Sequence, residues 1–236
     1  MKDLQGKVAF ITGGSKGIGY GIAEQLLKQG MKVAITSRSL ETAEEAATTL
    51  SENDNYVLGL EADVRDIESQ ERAIQATLDK WGAVDVLIAN AGVGHFESIE
   101  KLTAAQWQQT IDTNLTGVFY TVKAGLSAIK KSKGYIITIS SLAGANFFAK
   151  GSAYNASKFG LTGFTQALML DLRDDDVKVT TIMPGSVSSH FGGRTPEDGK
   201  DWRIQPEDIG QITVDLLKMN ERALPSKIEV RPSKTS

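Results

Sequence analysis

Seven short runs of β-forming residues recur along this chain, each separated from the next by a stretch of helical spacing, and that alternation confines it to a sheet whose strands are joined by helical crossovers. Lys7–Thr12, Lys32–Thr36, Tyr56–Leu60, Asp85–Ala89, Tyr135–Ile139, Val177–Met183 and Lys227–Val230 read as the strands. Helices are predicted over Gly17–Gln29, closed by Gly30, and over Glu41–Leu50. A third covers Asp66–Trp81, with Ile67, Ala73, Ile74 and Leu78 turned inward. The rest span Thr103–Lys131, bent near Asp112–Asn114, then Ser152–Arg173, and Pro206–Lys218 with Pro206 suited to the first turn. The strands are nearly continuous apolar runs, so the sheet is predicted to be parallel and covered on both faces. The expected fold is a single doubly wound α/β domain over residues 1–236 with a seven-stranded parallel sheet. Gly185–Gln205, which holds Gly192-Gly193, Pro196 and Gly199, is the least regular stretch. It follows the end of a strand and is expected to form a flap over a site, spanning about 186–205.

Composition removes several classes of function. A chain of 236 residues that is 41% hydrophobic and 23% charged can bury one substantial core. A formal net charge of -3 offers no electrostatic case for nucleic acid or an anionic membrane, so neither is expected as a partner. The absence of cysteine excludes disulfides, thiolate catalysis and cysteine metal sites. Two histidines far apart, His95 and His190, do not make a metal site. Asp174-Asp175-Asp176 reads as a solvated turn. Met1–Gly6 has no apolar core of the kind a signal peptide needs, and a cytoplasmic setting is expected.

Chemistry concentrates at two places. Thr12–Gly19 reads TGGSKGIG between the first strand and the first helix, with Gly13, Gly17 and Gly19 letting a backbone approach a pyrophosphate that meets the helix N-terminus. This is a Rossmann-type arrangement. The second strand ends Thr36-Ser37-Arg38-Ser39 with no acid before Glu41. Arg38, with Lys16 in the glycine turn, suits the 2′-phosphate of NADP(H). Asp63, after the third strand, is placed to hold an adenine amino group, and Asn90-Ala91-Gly92 puts small residues beside the adenosine ribose. Tyr154 and Lys158 lie four apart on one helix face, with Ser141 upstream. A phenol titrates near about 10, and a neighbouring ammonium is expected to bring it down far enough for proton exchange with a carbonyl. Phe147, Phe148 and Phe191 are candidates for an apolar substrate wall, and His95 is left outside the catalytic set.

The order and spacing of TGGSKGIG, Asn90-Ala91-Gly92, Asn114, Ser140-Ser141, YNASK at Tyr154–Lys158 and Pro184-Gly185 resemble the short-chain dehydrogenase/reductase family over essentially the whole chain. The resemblance implies a catalytic tetrad of Asn114, Ser141, Tyr154 and Lys158. In it Tyr154 is the general acid in reduction and Ser141 binds the substrate oxygen. Lys158 holds the nicotinamide ribose, and Asn114 holds a water leading to solvent. It also implies cofactor contacts from Gly13, Ser15, Lys16, Gly17, Ile18 and Gly19, from Ser37 and Arg38, and from Asp63 and Val64. Asn90, Ala91 and Gly92 belong to the same set, as do Tyr154, Lys158, Pro184, Gly185, Val187 and Ser188. Ser188 stands where the family usually has Thr. The chain looks most like 3-oxoacyl-(acyl carrier protein) reductases and related carbonyl reductases. NADPH-dependent reduction of a ketone, aldehyde or acyl thioester is therefore implied, together with a homotetramer packed through Asn114–Lys131 and Ser152–Arg173. The alternatives are oxidation of a secondary alcohol or sugar, and an NADP-binding sensor without turnover.

Overall fold

The computed structural model describes residues 1, 3–189, 191–193 and 202–234. Its strands are β1 Val8–Ile11, β2 Lys32–Ser37, β3 Val57–Glu61, β4 Val86–Ala89, β5 Tyr135–Ile139, β6 Lys178–Pro184 and β7 Lys227–Val230. The helices are α1 Gly17–Lys28, α2 Leu40–Leu50, α3 Ile67–Trp81, α4 Ala104–Ile111, α5 Gly117–Ser132, α6 Ser152–Asp171 and α7 Pro206–Lys218. All seven strands are parallel, in the order β3-β2-β1-β4-β5-β6-β7. The chain winds outward from β1 to β3, then returns to the other side of β1 to lay down β4 through β7. That reversal opens a crevice at the carboxyl ends of β1 and β4.

Alternation along the buried strands feeds two cores. Ala9 and Ile11 of β1, with Val86 and Ile88 of β4, pack against Ile22 and Leu26 of α1 and Ile209 and Leu217 of α7. Phe10, Leu87 and Ala89 point the other way, into a layer with Ile74 of α3, Val118 and Val122 of α5, and Leu161 of α6. Each strand residue therefore serves one helical layer, as its period of two requires.

The predicted helix over Thr103–Lys131 is three pieces. Thr103 caps α4 by accepting from the Gln106 N–H. A π-helical turn over Asp112–Thr116 follows, and α5 begins at Gly117. The bend expected near Asp112–Asn114 is thus one widened turn, which rotates Asn114 into the interior. The expected flap is pinned at its base, where Ser188 donates to the Ile204 carbonyl and Ile204 donates to the Ser186 carbonyl. Within it Phe191–Gly193 form a short helical turn, whereas His190 and residues 194–201 lie outside the described residues. Among the described residues, no helix is long and apolar enough to cross a membrane.

Candidate active site

The residues singled out in the sequence converge on the carboxyl edge of the sheet. They follow β1 (Gly13, Ser15, Lys16, Gly17, Ile18, Gly19), β2 (Ser37, Arg38), β3 (Asp63, Val64), β4 (Asn90, Ala91, Gly92), β5 (Ser141) and β6 (Pro184, Gly185, Val187, Ser188). Tyr154 and Lys158 reach the same edge from the first two turns of α6.

The turn after β1 is held close to the loop after β4. Gly13 has φ 64, and a Cβ there would stand 2.9 Å from the Ala91 Cα, so both the conformation and the space require glycine. The Asn90 amide donates to the carbonyls of Thr12 at 2.9 Å and Gly13 at 3.0 Å, and Thr12 Oγ1 accepts from the Asn90 N–H. The Asn90 side chain is therefore a brace for the glycine turn. The N-terminus of α1 has no side-chain cap and no acid in its first turn. Its amides point outward at the positive end of the helix dipole, which is the donor set a pyrophosphate needs. Ser189, at the base of the expected flap, lies over this turn, its Cβ 3.5 Å from where a Gly17 Cβ would be.

At the ends of β2 and β3 a cleft of about 420 Å³ is lined by Arg38, Glu61, Asp63, Asp66, Ser69 and Arg72. Asp63 does not stand alone in it. Arg65 grips its carboxylate, Nη2 to Oδ2 at 2.6 Å and Nε to Oδ1 at 3.0 Å. These bonds hold the Asp63 carboxyl below the usual range, with a smaller contribution from Arg38. An adenine amino group would have to share this carboxylate with Arg65. Val64 is buried, packed against Gly117.

On the other side of the crevice, Asn155 organises the loop after β5. Its amide donates to the carbonyls of Ala143 and Asn146, both at 2.8 Å, and its Oδ1 accepts from the Phe148 N–H at 3.4 Å. These bonds lash the loop to α6 and bring Ser141 near the Tyr154 phenol, its hydroxyl accepting from the Ala143 N–H at 3.1 Å and donating to the Pro184 carbonyl at 3.5 Å. The Ser140 hydroxyl points elsewhere, bonding the Lys158 carbonyl and Thr162 Oγ1. Ser140 is thus tied to α6, and Ser141 is the serine nearer the phenol. Asn155 was missed as a positioning residue; its only sequence signal is its place inside YNASK.

Lys158 is buried and its ammonium donates to the Ile139 carbonyl at 2.9 Å. Burial pushes its pKa down to about 8. Asn114 spends its side chain on bracing, accepting from the Val93 N–H at 2.8 Å and donating to the Val93 carbonyl at 2.9 Å and to Ser157 Oγ at 3.0 Å. It locks the loop after β4 to the π turn and to α6.

The Tyr154 phenol departs from expectation. Burial raises its pKa, and the Ser141 hydrogen bond only partly offsets this. The protein's own groups therefore keep the phenol protonated. The lowering expected from Lys158 together with an oxidised nicotinamide belongs to the loaded site, and the desolvation of the phenol acts against it.

Aromatic rings cover Tyr154. Phe96 lies edge-on to it at 5.3 Å between centroids and Phe191 is tilted at 5.5 Å, while Phe148 packs on Phe96 at 6.0 Å. Of the expected wall, Phe148 and Phe191 join the cluster. Phe147 is 87% exposed and points away, and Phe96 takes its place. His95 is occupied by Gln109, its Nε2 2.9 Å from Oε1. Asp175 and Asp176 pair with Lys130 and Lys133, and no cluster suited to a metal ion occurs among the described residues.

Residues 7–199 match the family model described as short chain dehydrogenase. An uncharacterized oxidoreductase of Staphylococcus saprophyticus is 34% identical over 240 residues, covering 98% of this chain and 100% of the relative. A 3-oxoacyl-[acyl-carrier-protein] reductase of Vibrio cholerae is 35% identical over 188 residues, covering 79% of this chain and 76% of that protein. Among solved structures, the alcohol dehydrogenase of the archaeon Thermococcus sibiricus complexed with 5-hydroxy-NADP superposes with a TM-score of 0.91 at 30% identity, covering 98% of this chain and 99% of the other.

Proposed function

This chain belongs to the short-chain dehydrogenase family, an oxidoreductase acting on CH–OH or C=O groups, and from that premise we propose that it reduces a ketone or aldehyde with NADPH. The observation that carries the reading is the Tyr154 phenol, buried beside Ser141 and one helical turn from Lys158. A neutral phenol is the proton donor that reduction needs, and the same residue run in reverse is the base for oxidation, so the direction is read from turnover.

The residues present fit the cofactor. The uncapped N-terminus of α1 and the close approach of Gly13 to Ala91 leave room and donors for a pyrophosphate. Arg38 would hold the 2′-phosphate, helped by Lys16, and the Arg65 guanidinium counterbalances the nearby Asp63 carboxylate. The dinucleotide, when bound, supplies the hydride. Tyr154 gives its proton to the carbonyl oxygen as that oxygen gains negative charge, and Ser141 donates a hydrogen bond to the same oxygen. The Lys158 ammonium, charged below about pH 8, stabilises the phenolate left behind. Asn114 keeps the loop beside Lys158 in place through its three bonds.

The exposed apolar side chains Trp107, Phe119, Phe159 and Leu170 on α4, α5 and α6 support a homotetramer assembled through these helices, which sedimentation would read directly. The reaction is tested by following NADPH absorbance with a carbonyl panel that includes an acetoacetyl thioester and simple diketones. Loss of NADPH with at least one carbonyl, abolished in Tyr154→Phe, is expected. No turnover with any of them, or undiminished turnover in that variant, overturns the reading.

A further inference from the structure

Three phenylalanines that are distant in sequence form one ring cluster on Tyr154, Phe96 and Phe191 directly and Phe148 through Phe96. Phe96 comes from the loop after β4, Phe148 from the loop after β5 and Phe191 from the loop after β6. Phe96 and Phe191 are 6.3 Å apart at an interplanar angle of 66°, and both lie against the Tyr154 ring. Backbone space is reserved for them. A Cβ on Gly94 would fall 2.6 Å from Phe191 and 2.8 Å from Phe96, and one on Gly151 would fall 2.9 Å from Phe148 Cζ. Yet the rings are not sealed in the core, since Phe148 is 47% exposed and Phe96 and Phe191 are half-buried.

A carbonyl that reaches the Tyr154 hydroxyl must lay one substituent beside these rings. The rings neither donate nor accept a strong hydrogen bond, so a polar or charged substituent would be desolvated there without compensation. A flat apolar group would gain burial and edge-to-face contacts in the geometry the rings already adopt with one another. We infer that Phe96, Phe148 and Phe191 form an aryl subsite, and that the enzyme selects ketones carrying a neutral aromatic substituent next to the carbonyl. Phe96, which touches Tyr154, Phe148 and Phe191 together, is its main specificity-determining residue.

This inference rests on the proposed carbonyl reduction, and its test separates the two. Three diagnostic carbonyls are compared with NADPH: 1-phenylpropane-1,2-dione, butane-2,3-dione and 1-(4-carboxyphenyl)propane-1,2-dione, which places a carboxylate on the ring itself. The aryl dione is expected to exceed both others in kcat/KM by about tenfold, the scale of one buried ring with its aromatic contacts. In Phe96→Ala the ratio of aryl to alkyl dione is expected to fall about tenfold, mainly through KM; Phe96→Leu and Phe191→Leu, which keep most of the apolar volume, should lower it by about threefold. Binding is read separately, by saturation-transfer NMR from the protein to the phenyl protons of the aryl dione in the presence of NADP, for the wild type and Phe96→Leu. Aryl preference that weakens in the variants supports the subsite. Turnover without aryl preference, preference for the carboxylated ring, or an unchanged ratio in both leucine variants overturns it while leaving carbonyl reduction standing. Phenyl saturation transfer weakened by Phe96→Leu, without turnover of any carbonyl, overturns the reaction and keeps the subsite. Neither turnover nor transfer overturns both.

Discussion

The two halves of the crevice are built by different means. The cofactor half is made mainly of backbone: a glycine turn, an uncapped helix start and loop amides, with Arg38 at the cleft between β2 and β3. The substrate half is made of side chains from three separate loops, closed around a phenol. A backbone seat depends on a few contiguous residues whose conformations are tightly restricted, so it tolerates little change and recurs as a short motif. A side-chain wall depends on rings that any loop of suitable length can supply, so it is free to vary with the substrate.

Changes to each half should fail differently. The largest effect is expected from Tyr154→Phe, which removes the proton donor and leaves the ring stack. kcat should fall by about a thousandfold, while calorimetric titration with NADP shows little change in affinity. An equal loss of cofactor binding would mean that the two halves are not separable. Next is Arg38→Asp, confined to the cofactor half. It should raise KM for NADPH by about a hundredfold through lost pairing and new repulsion and move preference toward NADH, with the order of preference among carbonyl substrates unchanged.

The pH dependence sharpens the comparison further. Lys158 has its pKa lowered to about 8 from 10.5 by burial, so its ammonium is present below pH 8 and lost above it. kcat/KM for reduction is expected to be flat through neutral pH and to fall by about tenfold per unit above pH 8. Stability should move the opposite way. Between about pH 8 and 10.5 the unfolded chain binds more protons at this lysine than the folded one, so stability rises with pH across that window. Measuring Tm alongside the rate profile distinguishes loss of the ammonium from unfolding. The smallest effect is expected from Asn155→Ala, which leaves the Ala143 and Asn146 carbonyls without their donor. It should cost about 2 kcal/mol in denaturant unfolding and lower kcat severalfold as Ser141 loosens.

Much of this architecture was legible in the linear pattern. Near-continuous apolar strands alternating with amphipathic helices foretold the parallel sheet. The bend near Asp112–Asn114 was legible too, though not as a π turn, because a single extra residue per turn leaves no periodic trace. The strand-end positions of Gly13, Arg38, Asp63 and Asn90 were read from spacing alone. Their partners were not: the grip of Arg65 on Asp63 and the clamp of Asn90 on the glycine turn depend on rotamers and on loops that meet only after folding. Phe147 and Phe148 are adjacent and chemically identical, so nothing in composition distinguishes the ring that faces Tyr154 from the one that faces solvent.

By itself, the order of residues determined the parallel sheet and the strand ends on which chemistry would gather, because those follow from periodicity and from short motifs at strand ends. The tertiary structure alone decided that burial raises the phenol's pKa and that Phe96 rather than Phe147 completes the aromatic wall. The physical reason is the same in each case. Desolvation and ring contacts are properties of neighbours brought together from distant parts of the chain, and no local stretch of sequence encodes them.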